Sequence, residues 1–268
     1  MLKDITIGQF FPGQSVIHRL DPRFKIVMTM IFIVMLFTGK SLVCLAIGAV
    51  YTAGAILLSG IPLKMYAKSV KPLLPFLLIT AVINMLLMNT GDVLWQWKAI
   101  RITVDAVNTS IFMIVRIILL IMGSSILTYT TTPITLTDAI EHLLSPLKRL
   151  KFPVHELAMM MSIALRFIPT LIEETDKIIS AQKARGAEID TGSFMNRARN
   201  MVAILVPLFI SSFRRADELA TAMECRCYRG GEGRTRLHIL KSAPRDYIAL
   251  AVTILFLAAV ITAAHITK

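Results

Sequence analysis

Asp176–Gly186 reads DKIISAQKARG, and Asp217–Cys227 reads DELATAMECRC. Laid over one another they share Asp, Ala and Arg in register, with Ile178 over Leu219 and Ser180 over Thr221. Each ends on one arginine between small residues: Arg185 between Ala184 and Gly186, Arg226 between Cys225 and Cys227. The two arginines are 41 positions apart.

Upstream of the first ending, Leu157, Met160, Met161, Ala164, Leu165 and Ile168 recur at three- and four-residue steps, while Glu173, Glu174, Asp176 and Lys177 fall largely off that stripe. This period predicts an amphipathic helix of about 30 residues, starting at Val154, kinked near Pro169 and ending at Gly186. EIDTGS supplies a turn. A second helix follows from about Phe194, with Met201, Ile204, Leu205, Leu208 and Phe209 on its stripe, and it ends in Tyr228-Arg229-Gly230-Gly231. It carries Pro207. Burial in a core is the default for such stripes, and both also suit packing against each other or lying along a membrane surface.

The terminal arginines admit two readings. A basic residue in the last turn favours the negative end of the helix dipole by about 0.3–1 kcal/mol, which explains one arginine as a cap. Arginine is also a planar, permanently charged donor suited to interfaces, and small neighbours let another surface come close. Capping does not explain the same register twice with small residues on both sides, which favours docking, and a duplicated contact implies a duplicated partner, either a homodimer or two related subunits.

The rest of the chain sets where that partner must be. Of 268 residues, 55% are hydrophobic, which places the chain in the membrane class. Five segments are apolar enough to span: 26–38, 42–59, 73–88, 107–129 and 247–264, the first short for the ~20 residues a span needs. MLKDITIGQFFPG lacks the basic and apolar regions of a cleaved signal peptide. With the N-terminus inside, residues 1–25, the short loop 60–72 and residues 130–246 carry 24 of the 29 Lys and Arg residues. The net charge of +12 therefore reflects topology and anionic lipid neighbours, and gives no reason to invoke nucleic acid. The domain organisation is 1–132, a membrane region with four spans; 133–245, a cytoplasmic helical region; and 246–268, a last span. Within the middle region, Thr137–Lys151 reads as a short amphipathic helix capped by Thr137 and bent by Pro146.

Other constellations are weak. Three cysteines, odd in number, argue against a disulfide framework, and Cys225-Arg-Cys227 with His238 lacks the second pair a soft-metal site needs. No phosphate-binding G-x-x-x-x-G-K-[ST] or H-E-x-x-H is present, and Gly230, Gly231 and Gly233 form a lone cluster ending a helix. No cofactor, metal or catalytic residue is expected. Arg116 inside the fourth span would be expensive facing lipid, about 2.5–3.5 kcal/mol at the bilayer centre, so it faces protein, either Asn84 or a partner subunit. Asp92, Asp105 and the tryptophans of VLWQWK fall in an outer loop, the tryptophans fitting an interfacial belt.

RFIPTLIEETDKIISAQKARGA, then VPLFISSFRRADELATAMECRCYRGGEGRTRL, preceded by PGQSVIHRLDPRFKI, resemble the transmembrane scaffold (T) component of energy-coupling factor (ECF) type ABC transporters over essentially the whole chain. The resemblance implies an all-α integral membrane protein with about five transmembrane helices and long amphipathic cytoplasmic coupling helices between spans four and five. It implies a multi-pass protein of the prokaryotic cell (inner) membrane, with its N-terminus cytoplasmic. It further implies a non-catalytic subunit without an ATPase site of its own. That subunit couples two cytoplasmic ABC-type ATPases to a small substrate-binding membrane protein, the S component, for uptake of vitamins or other micronutrients. The ATPase-docking residues carried over are Ala184, Arg185 and Gly186 with Cys225, Arg226 and Cys227. The family more often has Ala and Gly where this chain has the two cysteines. Met159, Met160 and Met161 suit either an adaptable S-component surface or core filling.

Aligning the repeats also sets Glu173 and Glu174 opposite Arg214 and Arg215, so helices crossing there would pair these charges. The alternative function is a self-contained secondary transporter, which predicts several ionisable residues within the spans.

Overall fold

The computed structural model describes residues 10–39, 41–87, 93–97, 100–150, 152–186, 194–230, 240 and 242–266. MLKDITIGQ, Lys40, Met88, Asp92, Lys98, the EIDTGS turn, Gly231, Gly233, His238 and Lys268 lie outside the described residues. In chain order the elements are α1 (Pro22–Thr38), α2 (Leu42–Ser59), α3 (Leu63–Val70), a 3-10 turn (Lys71–Leu73), α4 (Leu74–Leu87), β1 (Val93–Trp97) and β2 (Ile100–Thr103). Then come α5 (Val104–Thr130), α6 (Pro133–Leu144), a 3-10 segment (Ser145–Leu150), α7 (Val154–Ala184), α8 (Phe194–Cys225) and α9 (Pro244–Ile266). Two compact units result, one of Pro133–His238 and one of Gly8–Thr132 with Ile239–Lys268.

Helix boundaries follow local chemistry. Asp21 caps α1 by accepting from the Arg23 amide at 2.9 Å, and Pro22 occupies the first turn, where its missing N–H costs nothing. Ser41 caps α2, which stops at Gly60 with φ 68°. Five helical stretches are long and apolar enough to cross a membrane: Leu42–Ser59, Leu63–Leu87, Val104–Thr130, Val154–Ala184 and Pro244–Ile266. At 17 residues α1 sits at the short end of the spanning range. α7 meets the same criterion although the sequence groups it with the coupling helices; its charges gather toward its C-terminal half, with only Glu156 and Arg166 in the first.

The larger unit is an all-α bundle built on α1, α2, α5 and α9. Phe32, Met35 and Leu36 of α1 are buried with Cys44 of α2, Leu119 of α5 and Val260 of α9. Gly123 of α5 makes this approach possible, since a Cβ there would lie 2.2 Å from the Phe32 ring. A second cluster joins Ile56, Ile61, Tyr66 and Tyr129, the two tyrosine rings meeting edge-on at 5.5 Å. Tyr129 also hydrogen-bonds the Ser69 hydroxyl.

At one end of the bundle, Asp246 is fully buried and ties two helix starts together. Its carboxylate accepts from the Asp21 amide at 2.9 Å and from the Ala243 amide at 2.6 Å. Beside it Lys25 donates to the Thr130 carbonyl at 2.9 Å.

Several expectations need correction. The basic segment 60–72 is mostly helix: α3 starts after Pro62, with Lys64, Lys68 and Lys71 on one face at steps of four and three. Thr137 is not a cap; α6 already begins at Pro133, and the Thr137 hydroxyl donates back to the Pro133 carbonyl at 3.0 Å. The helix stops at Leu144, before Ser145 and Pro146, because proline disfavours helical backbone in the residue ahead of it. The segment between α4 and α5 contains an antiparallel hairpin, β1 with β2, bulged between Val93 and Trp95. Arg116 does not pair with Asn84: it donates to the Gly39 carbonyl at the end of α1 at 2.6 Å, and its guanidinium lies 4.4 Å from the Phe112 ring centre. The Asn84 amide instead meets the Met113 sulfur at 3.3 Å.

Candidate functional site

The smaller unit is built from α6, α7 and α8. Val154 and Ala158, at the start of α7, are buried, and His155 meets the Glu141 carboxylate of α6 at 3.2 Å. Farther on, α7 runs beside α8. Glu174 approaches Arg215 at 3.8 Å, and the Gln182 amide donates to the Ala203 carbonyl at 3.2 Å. Moving from 174 to 182 on α7 corresponds to moving from 215 back to 203 on α8, so the helices are antiparallel.

Their stripes are less buried than the core default supposes. On α8 only Ile204 is buried among the described residues, while Met201, Leu205, Phe209 and Phe213 are exposed at four-residue steps. Met160 and Met161 of α7 are each 54% exposed. An apolar surface of this extent, on a unit carrying basic residues, is suited to covering by lipid or by another protein.

Both arginines occupy the same place in the same local structure. α7 ends at Ala184 and α8 at Cys225, three residues before the expected Tyr228, so Arg185 and Arg226 are each the first residue past their helix. After Arg226 the Cys227 amide donates to the Glu224 carbonyl at 2.8 Å and the Tyr228 amide to the Met223 carbonyl at 3.1 Å, a complete Schellman closure. After Arg185 the Gly186 amide makes the equivalent bond to the Lys183 carbonyl at 3.0 Å. Such closure needs a left-handed residue next, and both chains of events supply one: Gly186 at φ 84° and Cys227 at φ 55°. The sequence reading had treated Gly186 and Cys227 as small; their backbone sign, invisible to a size argument, is the stronger constraint.

Backbone amides therefore close the helix ends, and the guanidiniums are not used for it. Arg185 and Arg226 are exposed, and among the described residues neither guanidinium forms a hydrogen bond or ion pair. Ala184, Gly186, Cys225 and Cys227 are exposed beside them, the cysteines as free thiols. Of the four charges expected to meet, Glu174 and Arg215 do; Glu173 and Arg214 are exposed, with no ion pair between them among the described residues. Among the described residues no group of three His, Cys, Asp or Glu side chains converges on a metal-binding geometry. The arrangement displays two unengaged guanidiniums on matched helix ends.

Residues 13–237 match the CbiQ family, described as cobalt transport protein. The chain is 51% identical over 261 residues to the energy-coupling factor transporter transmembrane protein EcfT of Ruminiclostridium cellulolyticum, covering 97% of each. It is 52% identical over 246 residues to the protein of that description from Acidaminococcus fermentans, covering 92% of this chain and 91% of the relative. To that of Bacillus subtilis it is 42% identical over 261 residues, covering 97% and 98%. The chain belongs to the CbiQ cobalt transport protein family and, within it, groups with the transmembrane proteins of energy-coupling factor transporters.

Proposed function

We infer that the chain is the non-catalytic coupling subunit of an ECF-type importer. It carries no ATPase site; Arg185 and Arg226, with their small neighbours, each dock one cytoplasmic ABC-type ATPase. The exposed apolar faces of α7 and α8, Met160 and Met161 included, receive a small substrate-binding S component. Closure of the ATPase pair on ATP then moves α7 and α8, and they reorient the S component to deliver a vitamin or other micronutrient. The N-terminus and the unit holding α7 and α8 lie on the cytoplasmic side of the prokaryotic inner membrane, with α1 rather than α7 as a span.

The observation that carries this reading is the duplication of an exposed, unengaged arginine at identical helix closures 41 residues apart. A single helix-capping role would be met by the backbone bonds already present, which leaves the side chains for a partner. The test is to purify the tagged chain from its native membranes and identify what accompanies it. Two ATPase subunits and at least one small membrane protein are expected. A chain that purifies alone and moves solute in liposomes without ATP would instead be a secondary transporter.

A further inference from the structure

Helices α1, α2, α5 and α9 leave an apolar groove of about 520 Å³ among them. Its walls include Met28 and Phe32 of α1, Val50 and Leu58 of α2, and Val252 and Phe256 of α9. The hydroxyls that reach it are engaged within the protein: Thr29 donates to the Lys25 carbonyl at 2.8 Å, Thr52 to the Gly48 carbonyl at 2.8 Å, and Thr253 to the Ala249 carbonyl at 2.9 Å. A polar solute finds few partners along this slot, and an alkyl chain finds apolar wall.

Charge enters at one end, where α1 and α9 begin and α5 finishes. Lys25 and Arg245 both line the groove there. Lys25 is already satisfied: its amine donates to the His18 carbonyl at 3.3 Å, the Thr130 carbonyl at 2.9 Å and the Thr131 hydroxyl at 3.3 Å, and its charge faces Asp21 and Asp246. Arg245 differs. It is exposed and, among the described residues, makes no hydrogen bond or ion pair. Its neighbour Asp246 is buried and held by two backbone amides.

An apolar slot topped by one uncompensated guanidinium matches an amphiphile with an anionic head. A slender hydrocarbon chain can lie along this apolar wall. We propose that this groove is a binding site for an anionic phospholipid, its phosphate on Arg245 and an acyl chain beside Phe32, Val252 and Phe256.

The test is native mass spectrometry of the full chain, stripped in mild detergent and then offered equal phosphatidylglycerol and phosphatidylcholine. The wild type is expected to retain one lipid, preferring phosphatidylglycerol about fivefold, the discrimination one basic residue gives. Arg245→Gln should lose that preference and keep its melting temperature. Gly54→Leu should lose both lipids, because Gly54 lines the groove and a side chain there meets no protein atom within 4 Å. Equal retention of the two lipids by the wild type would overturn the proposal. So would unchanged lipid binding by a folded Gly54→Leu chain, or loss of a co-purifying membrane protein from that variant with its lipid count unchanged. Should Gly54→Leu not fold, Arg245→Gln decides alone, and an undiminished preference for phosphatidylglycerol overturns it.

Discussion

Glu174 of α7 and Arg215 of α8 meet at 3.8 Å, and they are separated in sequence by the 41 residues that also lay one arginine motif over the other. Position 174 of the first repeat thus meets its own counterpart in the second. Arg185 and Arg226 each lie eleven residues beyond the pair, about 16 Å along a helix, and in opposite directions because the helices are antiparallel. The repeat is therefore displayed as two matched ends, one on each side of the contact.

The pair itself is weak and sets geometry more than stability. Its side chains are 32% and 28% exposed, where ion pairs contribute about 0–1 kcal/mol. Arg215→Glu should lower the melting temperature only slightly, and Glu174→Arg combined with Arg215→Glu should recover most of that loss. A double swap no better than the sum of its single changes would show that the two charges are not coupled.

The left-handed residue after each arginine gives an asymmetric prediction. Gly186 adopts φ 84° without strain, whereas Cys227 holds φ 55° with a side chain, at about 1–2 kcal/mol. Cys227→Gly should therefore stabilise the protein by about 0.5–1 kcal/mol once the greater freedom of the unfolded glycine is subtracted. Gly186→Ala should destabilise it by about 1 kcal/mol. Thermal unfolding of the two variants measures both, and equal signs would contradict the shared closure.

Asp246 predicts a larger effect far from the arginines. Asp246→Ala leaves the Asp21 and Ala243 amides without their buried acceptor and removes a countercharge from Lys25. The loss should be about 3 kcal/mol, seen in thermal unfolding, and Asp246→Asn should recover part of it by restoring an acceptor oxygen.

These residues also show what the sequence carried and what it could not. The limits of α7 and α8 were legible within a few residues, because a three-and-four step of apolar residues over some 30 positions has no other regular solution. The meeting of Glu174 with Arg215 was legible as well, since repeat alignment brings those positions together. The partner of Arg116 was not: a backbone carbonyl such as that of Gly39 has no side-chain signature. α3 was hidden because Pro62 and Pro72 read as loop residues, although proline before and after a short helix marks its ends equally well. Exposure of the α7 and α8 stripes was also hidden, because an apolar period reports one face and not what covers it.

The central claim is that Arg185 and Arg226 each hold one ATPase. The direct measurement is the number of ATPase subunits retained when the tagged chain is purified as wild type, Arg185→Glu, Arg226→Glu and the double variant, with the small membrane protein as internal standard. The account predicts two, one, one and none, with the small membrane protein retained throughout. Two ATPases retained by the double variant would contradict it, leaving both arginines as solvated helix ends.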